Sequence, residues 1–583
     1  MVFKTPSWVP KLPFEPPDNI PIPEFINNQA YGRCPLDRSK NPFTCSKTGK
    51  SYDAREVAKR EDYLARGLRK HLTPEELAGS EWNRVVTNFS YNCIDYVPAT
   101  HAVHRLSGIV AAASAEYSAA DLEYQLRQSG CKTIFTCVPL LPRALEAAAS
   151  AGIPQNRIFL LPLPHVGNNA PDLATIEDLI VAGQDSPPLD PIIWPAGQGA
   201  RQVAYLCYSS GTSGLPKAVK ISHHNIIANI LQLCTFESMS RRKQDLATQV
   251  TLGLLPFSHI YGLVLIGHLA PYRGDEVIVQ MSYNLKTLLT AIQQYKIQKM
   301  SVVPPILVQI LASQDQCKGF DLGSIRHVHT GAAPLGPETI TRLQEIYPHW
   351  KIIQGFGMTE TAAVVSITDD FDILGGSCGS LLPHTKAKII DSDGNEVHEY
   401  DTPGELLVQS PSVVLGYLNN ELATGETFVY HSDGRWLRTG DEVIVRKSAA
   451  GHEHLQVVDR IKELIKTKVW HQVAPAELEA CILTHTSVSD CAVIGVRDER
   501  AGEVPKAIVV RSVDSLSKTE EDLALDIAKL VEDRKARYKW LKGGVKFIDS
   551  IPKSPRGKIL RRILRDQENQ AITQAAREER AKL

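Results

Sequence analysis

The chain has 583 residues, of which 43% are hydrophobic and 22% are charged, and its formal net charge is −1. This length predicts more than one globular domain, and the near-neutral charge gives no reason to expect nucleic acid or an anionic membrane as the main partner. The eleven cysteines include no C-x-x-C pair, so the sequence indicates reduced thiols and neither a disulfide framework nor a zinc site.

The first 459 residues predict an arm followed by a large α/β domain. Residues 1–50 are rich in proline and asparagine and predict an irregular arm packed on a larger body. Over 51–459, helical and strand-like patterns alternate, which predicts mostly parallel sheets flanked by helices. Helices are predicted over 53–66, 120–128 and 285–295, and buried strands over 133–138, 157–161, 203–208, 300–303 and 350–353.

An apolar stretch at 252–270 has nearly the length of a membrane span. It contains Pro256, His259 and His268, so it predicts a buried strand and turn, and no membrane span is expected.

The remaining segment, 460–583, predicts a separate and smaller α+β unit. Its pattern predicts a helix over 475–484, strands over 488–496 and 507–511, and a helix over 520–531. The closing tripeptide Ala581-Lys582-Leu583 resembles the Ser-Lys-Leu class of peroxisomal addresses, which an import receptor reads. We therefore expect a peroxisomal protein, and a cytoplasmic one if the tripeptide is not read.

The run Tyr208-Ser-Ser-Gly-Thr-Ser-Gly-Leu-Pro-Lys217 has a composition suited to phosphate. Glycines let backbone N–H groups approach an oxyanion, hydroxyls add donors, and Lys217 adds positive charge. The plain alternative is a surface linker, but the position after a buried strand and before a helix starting near Asn225 favours nucleotide phosphate. The run is not a Walker loop, because no Gly-Lys-Ser/Thr ends it.

Four more motifs follow in order. Thr330-Gly-Ala-Ala-Pro-Leu335 predicts a turn after a strand, and Gln354-Gly-Phe-Gly-Met-Thr-Glu360 puts a ring, a hydroxyl and a carboxylate at a strand end. Open α/β sheets bind ligands at such ends. Arg438-Thr-Gly-Asp441 places a carboxylate after a tight turn, suited to a ribose diol, and Pro552-Lys-Ser-Pro-Arg-Gly-Lys558 presents a lysine on a turn.

Taken one at a time, these residues have plain interpretations. Asp441 and Glu360 alone would be solvated turn carboxylates, and Lys558 alone a surface lysine. Phe356 and His259 alone would be core residues. The ordered set favours the functional interpretation.

In this order the motifs resemble those of the acyl-adenylating superfamily: acyl-CoA synthetases, 4-coumarate–CoA ligases, beetle luciferases and peptide-synthetase adenylation domains. The resemblance covers roughly residues 50–565. Leu255-Pro-Phe-Ser-His-Ile-Tyr261 and Gln472-Val-Ala-Pro-Ala-Glu-Leu-Glu479 are similar to the 4-coumarate–CoA ligase and luciferase branch.

The resemblance implies an activity and an architecture. A carboxylate attacks the α-phosphorus of ATP to give an acyl-adenylate and pyrophosphate, and the thiol of coenzyme A then displaces AMP. A large N-terminal domain carries the site, and a small C-terminal lid rotates between the two steps about a hinge that maps to Asp459 or Lys462.

The resemblance also implies roles for individual residues around the nucleotide and Mg²⁺. Thr359 would contact the α-phosphate, Glu360 would ligate Mg²⁺, and Asp441 would hold the ribose with help from Arg460. The β- and γ-phosphates would be held by Ser209, Ser210, Gly211, Thr212, Ser213, Gly214 and Lys217. The adenine would stack on Phe356, within a nucleotide site completed by Gly331, Ala332, Ala333, Gln354, Gly355, Gly357 and Met358.

The acid and the thiol are implied to bind on either side of a gate at His259. Positions that match the family's acid pocket are Tyr261, Val264, His329, Ala363 and Val364, with Gly331 and Gly355. They are small or apolar apart from Tyr261 and His329, which suits an aryl, arylalkanoic or medium-chain acyl group.

Two loops of the lid are implied to serve the two steps. Lys558 would bridge the carboxylate and the α-phosphate during adenylation, and a loop with Lys466, Lys468 and Gln472 would serve thioester formation.

The second of these loops departs from the family pattern. Relatives read Lys-x-Lys-Gly-aromatic-Gln, whereas this chain reads Lys466-Thr-Lys-Val-Trp-His-Gln472. Val469 replaces the glycine, one extra residue precedes Gln472, and a β-branched residue resists positive φ. Either the loop bulges and admits coenzyme A, which we favour, or it serves another acceptor.

The sequence therefore predicts an ATP-dependent, AMP-forming acid–CoA ligase. One alternative is a stand-alone adenylating enzyme that loads a separate carrier protein or another nucleophile. A luciferase-like oxygenase and a catalytically silent binding protein on the same scaffold are the remaining alternatives.

Overall fold

The structure is a computed structural model that describes residues 2–582 apart from 164–165, 167–171, 210–215, 334, 467–471, 499–501, 513–518 and 554–558. Within these residues, three β-sheets build a large domain, and two smaller sheets belong to a C-terminal domain.

The first sheet is a seven-stranded α/β sheet. Its five central strands run parallel in the order β7-β6-β4-β5-β8, and β9 and β19 extend it antiparallel beyond β8. The strands are β4 (Val85–Phe89), β5 (Ile109–Ala113), β6 (Thr133–Thr136), β7 (Ile158–Leu160), β8 (Val203–Ser209), β9 (Lys217–Ser222) and β19 (Gly416–Tyr417).

The second sheet has nine strands in the order β16-β15-β14-β13-β12-β10-β11-β2-β3 and is parallel from β14 to β2. The strands are β2 (Phe43–Cys45), β3 (Ser51–Tyr52), β10 (Val250–Gly253), β11 (Glu276–Val279), β12 (Lys299–Val302), β13 (His327–Thr330), β14 (Lys351–Met358), β15 (Ala363–Ile367) and β16 (Ser380–Leu381). The predicted fold class, helix-flanked and mostly parallel sheets, is confirmed for these two sheets.

The third sheet is antiparallel throughout, which the sequence did not predict. It combines β1 (Phe3–Lys4), β17 (Lys386–Ile390), β18 (Gly404–Gln409), β20 (Phe428–His431), β21 (Gly434–Lys447) and β22 (Glu453–Arg460). Short turns join β20 to β21 and β21 to β22, as antiparallel pairing allows, whereas the segment from β18 to β20 is longer and contains α15 (Glu421–Thr427).

Helices flank the sheets of the large domain. In chain order they are α1 (Ile22–Asn27), α2 (Ala54–Arg69), α3 (Pro74–Ala78), α4 (Tyr96–His104), α5 (Ala119–Ser129), α6 (Leu141–Ala151), α7 (Ile176–Gln184), α8 (Gln198–Arg201), α9 (His223–Lys243), α10 (Leu269–Tyr272), α11 (Leu285–Tyr295), α12 (Pro304–Ala312), α13 (Gln314–Cys317), α14 (Pro337–Ile346) and α15. The helices predicted near 53, 120 and 285 are confirmed as α2, α5 and α11.

The apolar stretch 252–270 is only half as predicted. It begins with the strand β10 and a turn, but continues as a π-helical segment, Gly262–His268, that leads into α10. Most of its residues are buried, although Pro256 is exposed and His259 and Tyr261 are half-buried. Among the described helices, none combines the length and apolar composition that a membrane crossing requires.

Helix α9 ties the three sheets together. Its N-terminus carries a capping box in which the Ser222 hydroxyl accepts from the backbone N–H of Asn225. Further along, side-chain amides leave the helix for other elements: Asn225 donates to the carbonyl of Pro411, Asn229 to that of Val364 at 2.8 Å, and Gln232 to that of Pro383. A buried amide must find a partner, so these bonds fix where the sheets meet.

The N-terminal segment is less irregular than predicted. Strand β1 pairs with β17, and β2 runs parallel to β11, so the segment contributes to two sheets. Helix α1 lies against α9, where the N–H of Ile22 donates to Nδ1 of His223.

The C-terminal domain has its own hydrophobic core, formed by residues such as Leu478, Val493 and Ile527. Strand β25 pairs antiparallel with β26, and β27 pairs parallel with β26. Its elements are β23 (Ile465–Lys466), β24 (Gln472–Val473), α16 (Pro475–Ile482), β25 (Val488–Asp498), β26 (Gly502–Arg511), α17 (Glu520–Arg534), β27 (Val545–Phe547) and α18 (Arg561–Lys582). The predicted α+β character of this segment is confirmed.

A group of histidines lies buried between α4, α9 and the first sheet. His101 donates to Glu61 at 2.6 Å and contacts His268 at 3.3 Å, and His268 is 3.0 Å from the Tyr205 hydroxyl. Burial lowers the pKa of His104 to about 3, with neighbouring His101 as the second cause. Burial also holds the pKa values of His223 and His268 well below the usual range.

These lowered pKa values predict acid-sensitive stability. The unfolded chain takes up protons near pH 6.5 and the folded chain does not, so the stability is present above pH 6.5 and is lost as the pH falls below it. For one such histidine the loss at pH 5 is about 2 kcal/mol. We expect the thermal midpoint to fall between pH 7.5 and pH 5.0, and His104→Gln to reduce this fall, because a glutamine amide can donate to the carbonyl of Ala204 without titrating.

The control is His431→Gln, since the ring of His431 is exposed. It should show the wild-type fall in midpoint. An equal fall in His104→Gln would contradict the assignment of acid sensitivity to this cluster.

Candidate active site

The two ends of the glycine- and serine-rich run 208–217 lie side by side. Ser209 ends β8 and Lys217 begins β9, and the two residues are direct antiparallel partners. The run therefore connects two paired strands. The helix predicted to begin near Asn225 is confirmed as α9, but strand β9, which lies between the run and this helix, was not predicted. Ser210, Gly211, Thr212, Ser213 and Gly214 lie outside the described residues.

A buried tyrosine joins Lys217 to Glu360. The Tyr417 hydroxyl donates to Oε1 of Glu360 at 2.9 Å, and Nζ of Lys217 lies 4.9 Å from the centre of the Tyr417 ring. Burial raises the pKa of Tyr417, and the Glu360 charge raises it further. We call Lys217, Tyr417 and Glu360 the charge array.

Tyr417 was missed by the sequence analysis. It sits in the two-residue strand β19, whose pairing with β9 places Tyr417 opposite Val219. No motif marks it, and its role emerges only from this pairing.

Thr359 and Glu360 share one 3₁₀ turn, Thr359–Thr361, which follows directly on β14. Both side chains are buried, and the backbone carbonyl of Glu360 accepts from the N–H of Val414. The strand predicted to end near 353 continues to Met358, so Phe356 and Met358 lie on the strand itself and are half-buried.

The backbone is crowded where β14 turns into β15. A Cβ on Gly357 would lie 1.7 Å from the carbonyl oxygen of Ala363, so only glycine fits there. Ala362 and Ala363 have φ of 52° and 117°, which L-residues avoid. The Asn229 amide holds this strained pair in place, because it donates to the carbonyl of Val364 and accepts from its N–H at 3.2 Å. Strain of this kind is concentrated at functional sites.

The carboxyl ends of β13 and β14 bring together the other residues that are predicted to bind the nucleotide. A Cβ on Gly331 would lie 3.1 Å from the carbonyl oxygen of Gly355, so the two glycines are in close approach. Ala332 also has a left-handed φ of 66°, and Oε1 of Gln354 accepts from the N–H of Leu335 at 3.4 Å. The predicted residues of this edge that lie together are Gly331, Ala332, Ala333, Gln354, Gly355 and Phe356.

Asp441 and Arg460 face each other across β21 and β22. They are direct partners in the ladder, with Nε of Arg460 3.6 Å from Oδ1 of Asp441. The prediction that Asp441 follows a tight turn is wrong: it lies within β21, next to Gly440 with φ 70°, and the register with β22 shifts one residue later.

The residues predicted to bind the acid lie beside the carboxyl ends of β13 and β14. The Tyr261 hydroxyl donates to the carbonyl of His329 at 3.3 Å, and its ring lies 3.8 Å from where a Cβ on Gly331 would be. Val264, Ala363 and Val364 are buried apolar residues.

His259 lies in the turn after β10. Its Nδ1 accepts from the N–H of Tyr261 at 3.3 Å.

The two loops of the small domain are only partly described. Lys466 is exposed and pairs with Gln472 across β23 and β24, so the altered loop is the five-residue connection of a hairpin. Its residues 467–471, including Lys468, lie outside the described residues, as does Lys558.

Three residues after Lys558, Arg561 anchors the start of α18. It binds both oxygens of Glu479, at 2.8 and 2.7 Å, and forms an ion pair with Glu463. The hinge position Asp459 is buried and accepts from the N–H of Ala476, whereas Lys462 is exposed. The start of α18 is thus anchored close to the hinge.

The arrangement suits a triphosphate with its metal. Mg²⁺ is usually held by one or two carboxylates together with substrate phosphates. Glu360 supplies one carboxylate beside a strand-end hydroxyl and Lys217. No group of three or more His, Cys, Asp or Glu side chains suited to a metal occurs in the described part of the chain.

Family comparisons cover both domains. The AMP-binding enzyme family matches residues 35–418, and the AMP-binding enzyme C-terminal domain matches residues 477–558.

Two fungal proteins are similar over nearly the whole chain. Acyl-CoA ligase AKT1 of Alternaria alternata is 42% identical over 575 residues, 97% of each protein. Acyl-CoA ligase easD of Emericella nidulans is 36% identical over 570 residues, 97% of this chain and 100% of that protein.

Among solved structures, the anthranilate CoA ligase AuaEII in complex with anthranoyl-AMP is similar, with a TM-score of 0.79. The match covers 96% of this chain and 99% of that one, at 20% identity, and it establishes the fold.

Proposed function

The chain belongs to the AMP-binding enzyme family, and on that premise we propose that it is an AMP-forming acid–CoA ligase. It activates a carboxylic acid with ATP and transfers the acyl group to coenzyme A. The observation that carries the proposal is the charge array at the carboxyl edge of the sheets, in a chain whose full-length relatives are named acyl-CoA ligases.

The first step requires the neutralisation of repelling charges. The acid carboxylate and the triphosphate are both anions, and charge accumulates on the α-phosphate as the bond to pyrophosphate breaks. Lys217 supplies a cation at the phosphate loop, and the Thr359 hydroxyl supplies a donor at the strand end. Glu360 would hold Mg²⁺, which neutralises phosphate charge when bound.

The nucleoside would be positioned by residues of β14 and β21. Phe356 offers a half-buried ring for the adenine, and Asp441 offers buried carboxylate oxygens for the ribose hydroxyls. Lys558, a compact charge on a loop of the small domain, would join the acid and the α-phosphate during adenylation.

The second step replaces AMP with a thiolate at the acyl carbon. A rotation of the small domain about Asp459 or Lys462 would exchange the Lys558 loop for the Lys466 hairpin, with hinge residues absorbing the dihedral change. The ladder pair Lys466–Gln472 leaves five residues in the connection, one more than the family pattern has between these two positions.

The acid is proposed to be aryl, arylalkanoic or medium-chain. Val264, Ala363 and Val364 supply apolar walls, and Gly331 and Gly355 place no side chain at the strand ends. A lining of this kind favours apolar acyl groups.

A second candidate is an adenylating enzyme that loads a carrier protein or another nucleophile. The observation that favours it is Val469 in the place of the family's glycine. In that case acyl-AMP would form without acyl-CoA.

We further propose delivery to peroxisomes, which Ala581-Lys582-Leu583 supports. Leu583 lies outside the described residues. A fluorescent protein extended by residues 561–583 should be punctate with a peroxisomal marker, and loss of the tripeptide should disperse it; a dispersed intact fusion would rule the proposal out.

The two lysines give the step-resolved prediction. A panel of aryl and fatty acids is incubated with ATP, Mg²⁺ and, in half of the samples, coenzyme A, and pyrophosphate, acyl-AMP and acyl-CoA are quantified. Lys558→Ala should lose about 100-fold or more in acyl-AMP formation, since one electrostatic group is worth roughly 3–4 kcal/mol of barrier. It should still convert preformed acyl-AMP to acyl-CoA, and Lys466→Ala should show the reverse.

Lys529→Ala is the matched control, because Lys529 is exposed on α17 of the same domain and pairs with Asp533. Equal loss of both steps in either variant would contradict the alternation of the two loops. Acyl-AMP without acyl-CoA in the wild type would favour the second candidate.

A further inference from the structure

The floor of the acid site is polar and buried. In the ladder, Ser301, His329 and Ile353 are direct partners, so their side chains share one face of the sheet. Gly355 lies two residues beyond Ile353 on β14, and Gly331 directly follows the end of β13 at Thr330. Tyr261 contacts both regions, since its hydroxyl donates to the carbonyl of His329 at 3.3 Å and its ring lies 3.8 Å from where a Cβ on Gly331 would be, so an acyl group bound over the glycines would extend toward His329.

His329 presents a polar atom without a partner at this floor. The residue is 4% exposed, and among the described residues its Nδ1 has no hydrogen-bond partner. Burial lowers the pKa of His329 well below its usual range, with Lys299 as the next cause, so the ring is neutral. The Oε1 atom of Glu237 is likewise buried without a partner there.

A small cavity adjoins these atoms. It measures about 20 Å³ and is lined by residues that include Glu237, Lys299, His329 and Ile353. A cavity of that size holds one water-sized group, provided that polar partners surround it. One oxygen atom therefore fits, and a bulky group does not.

The charges around the cavity are balanced. Glu237 pairs with Arg273 at 2.6 Å and with Lys299 at 3.4 Å. Beyond them, Arg241 pairs with Asp275 at 2.9 Å, and His327 pairs with Asp370 at 2.9 Å. A further carboxylate would lie beside Asp369 and Asp370, which also line the cavity, and would be costly to bury, so the floor favours a neutral group over an anion.

Building on the proposed function, we propose that the acid carries a neutral hydroxyl at the end remote from its carboxyl group, and that His329 selects it. A hydroxyl both donates and accepts, so it can bond Nδ1 of His329 in either neutral tautomer. A carbonyl can only accept, and a methyl group would leave the buried nitrogen unpaired. A resident water is the competing occupant, and it would remove any preference for hydroxylated acids.

The test compares acids in matched pairs. Linear C6 to C12 acids are assayed beside their ω-hydroxy forms, and 3-phenylpropanoic acid beside its 4-hydroxy form, with kcat/KM for AMP release as the readout. We expect a preference of at least about ten-fold for the hydroxy form at one optimal length, since a site built to bond a hydroxyl rejects the analogue without it. The preference should fade at shorter and longer chains.

Variants of His329 assign the preference. His329→Leu should bring the ratio of hydroxy to plain acid close to one, and His329→Gln, which keeps a hydrogen-bonding end, should retain part of it. His349→Leu, an exposed histidine, is the control and should keep the wild-type ratio.

The outcomes separate this inference from the function beneath it. No AMP release from any acid would overturn the proposed function. Equal use of plain and hydroxy acids by the wild type at every length would overturn the inference alone, as would a preference that survives in His329→Leu.

Discussion

The site depends on a buried carboxylate that is held in place by a hydrogen bond. Without a hydrogen-bond donor, the buried Glu360 carboxylate would be destabilised, because a buried charge needs compensation. The Tyr417 hydroxyl donates this hydrogen bond, and the Tyr417 ring lies beneath Lys217. One side chain therefore contacts both the Glu360 carboxylate and the Lys217 ammonium group. Tyr417 thereby brings Lys217, at the start of β9, close to Glu360, the carboxylate proposed to hold Mg²⁺.

The order of the strands explains why this place is the edge of the sheets. Parallel neighbours in one sheet end on the same side, so β13 and β14 bring the segments that follow them to one edge. Helix α9 fixes the distance between the sheets through its buried amides, and Asn229 holds the strained start of β15. The amides of α9 that pack the large domain together therefore also fix the geometry of the site.

Local signals made much of this fold predictable. Helix α11 matches its predicted bounds because Asn284 caps an amphipathic run, and α2 begins one residue after its predicted start because Asp53 caps it. The order of motifs predicted the strand-end site. Long-range pairing could not be predicted: β9 is a short strand hidden between a glycine-rich loop and a helix, and Tyr417 reaches the site only through β19. The charges behind His329 come from α9, β12 and the segment before β11, far apart in sequence.

The central claim is that Tyr417 holds Glu360 for nucleotide chemistry, and acid-dependent exchange of pyrophosphate into ATP tests it most directly. Tyr417→Phe keeps the ring beneath Lys217 and removes only the hydroxyl. A hydrogen bond to a charged group is worth about 1.5–3 kcal/mol, so the exchange rate should fall roughly ten- to hundred-fold. The exposed Tyr430→Phe should match the wild type. Undiminished exchange in folded Tyr417→Phe would contradict the account.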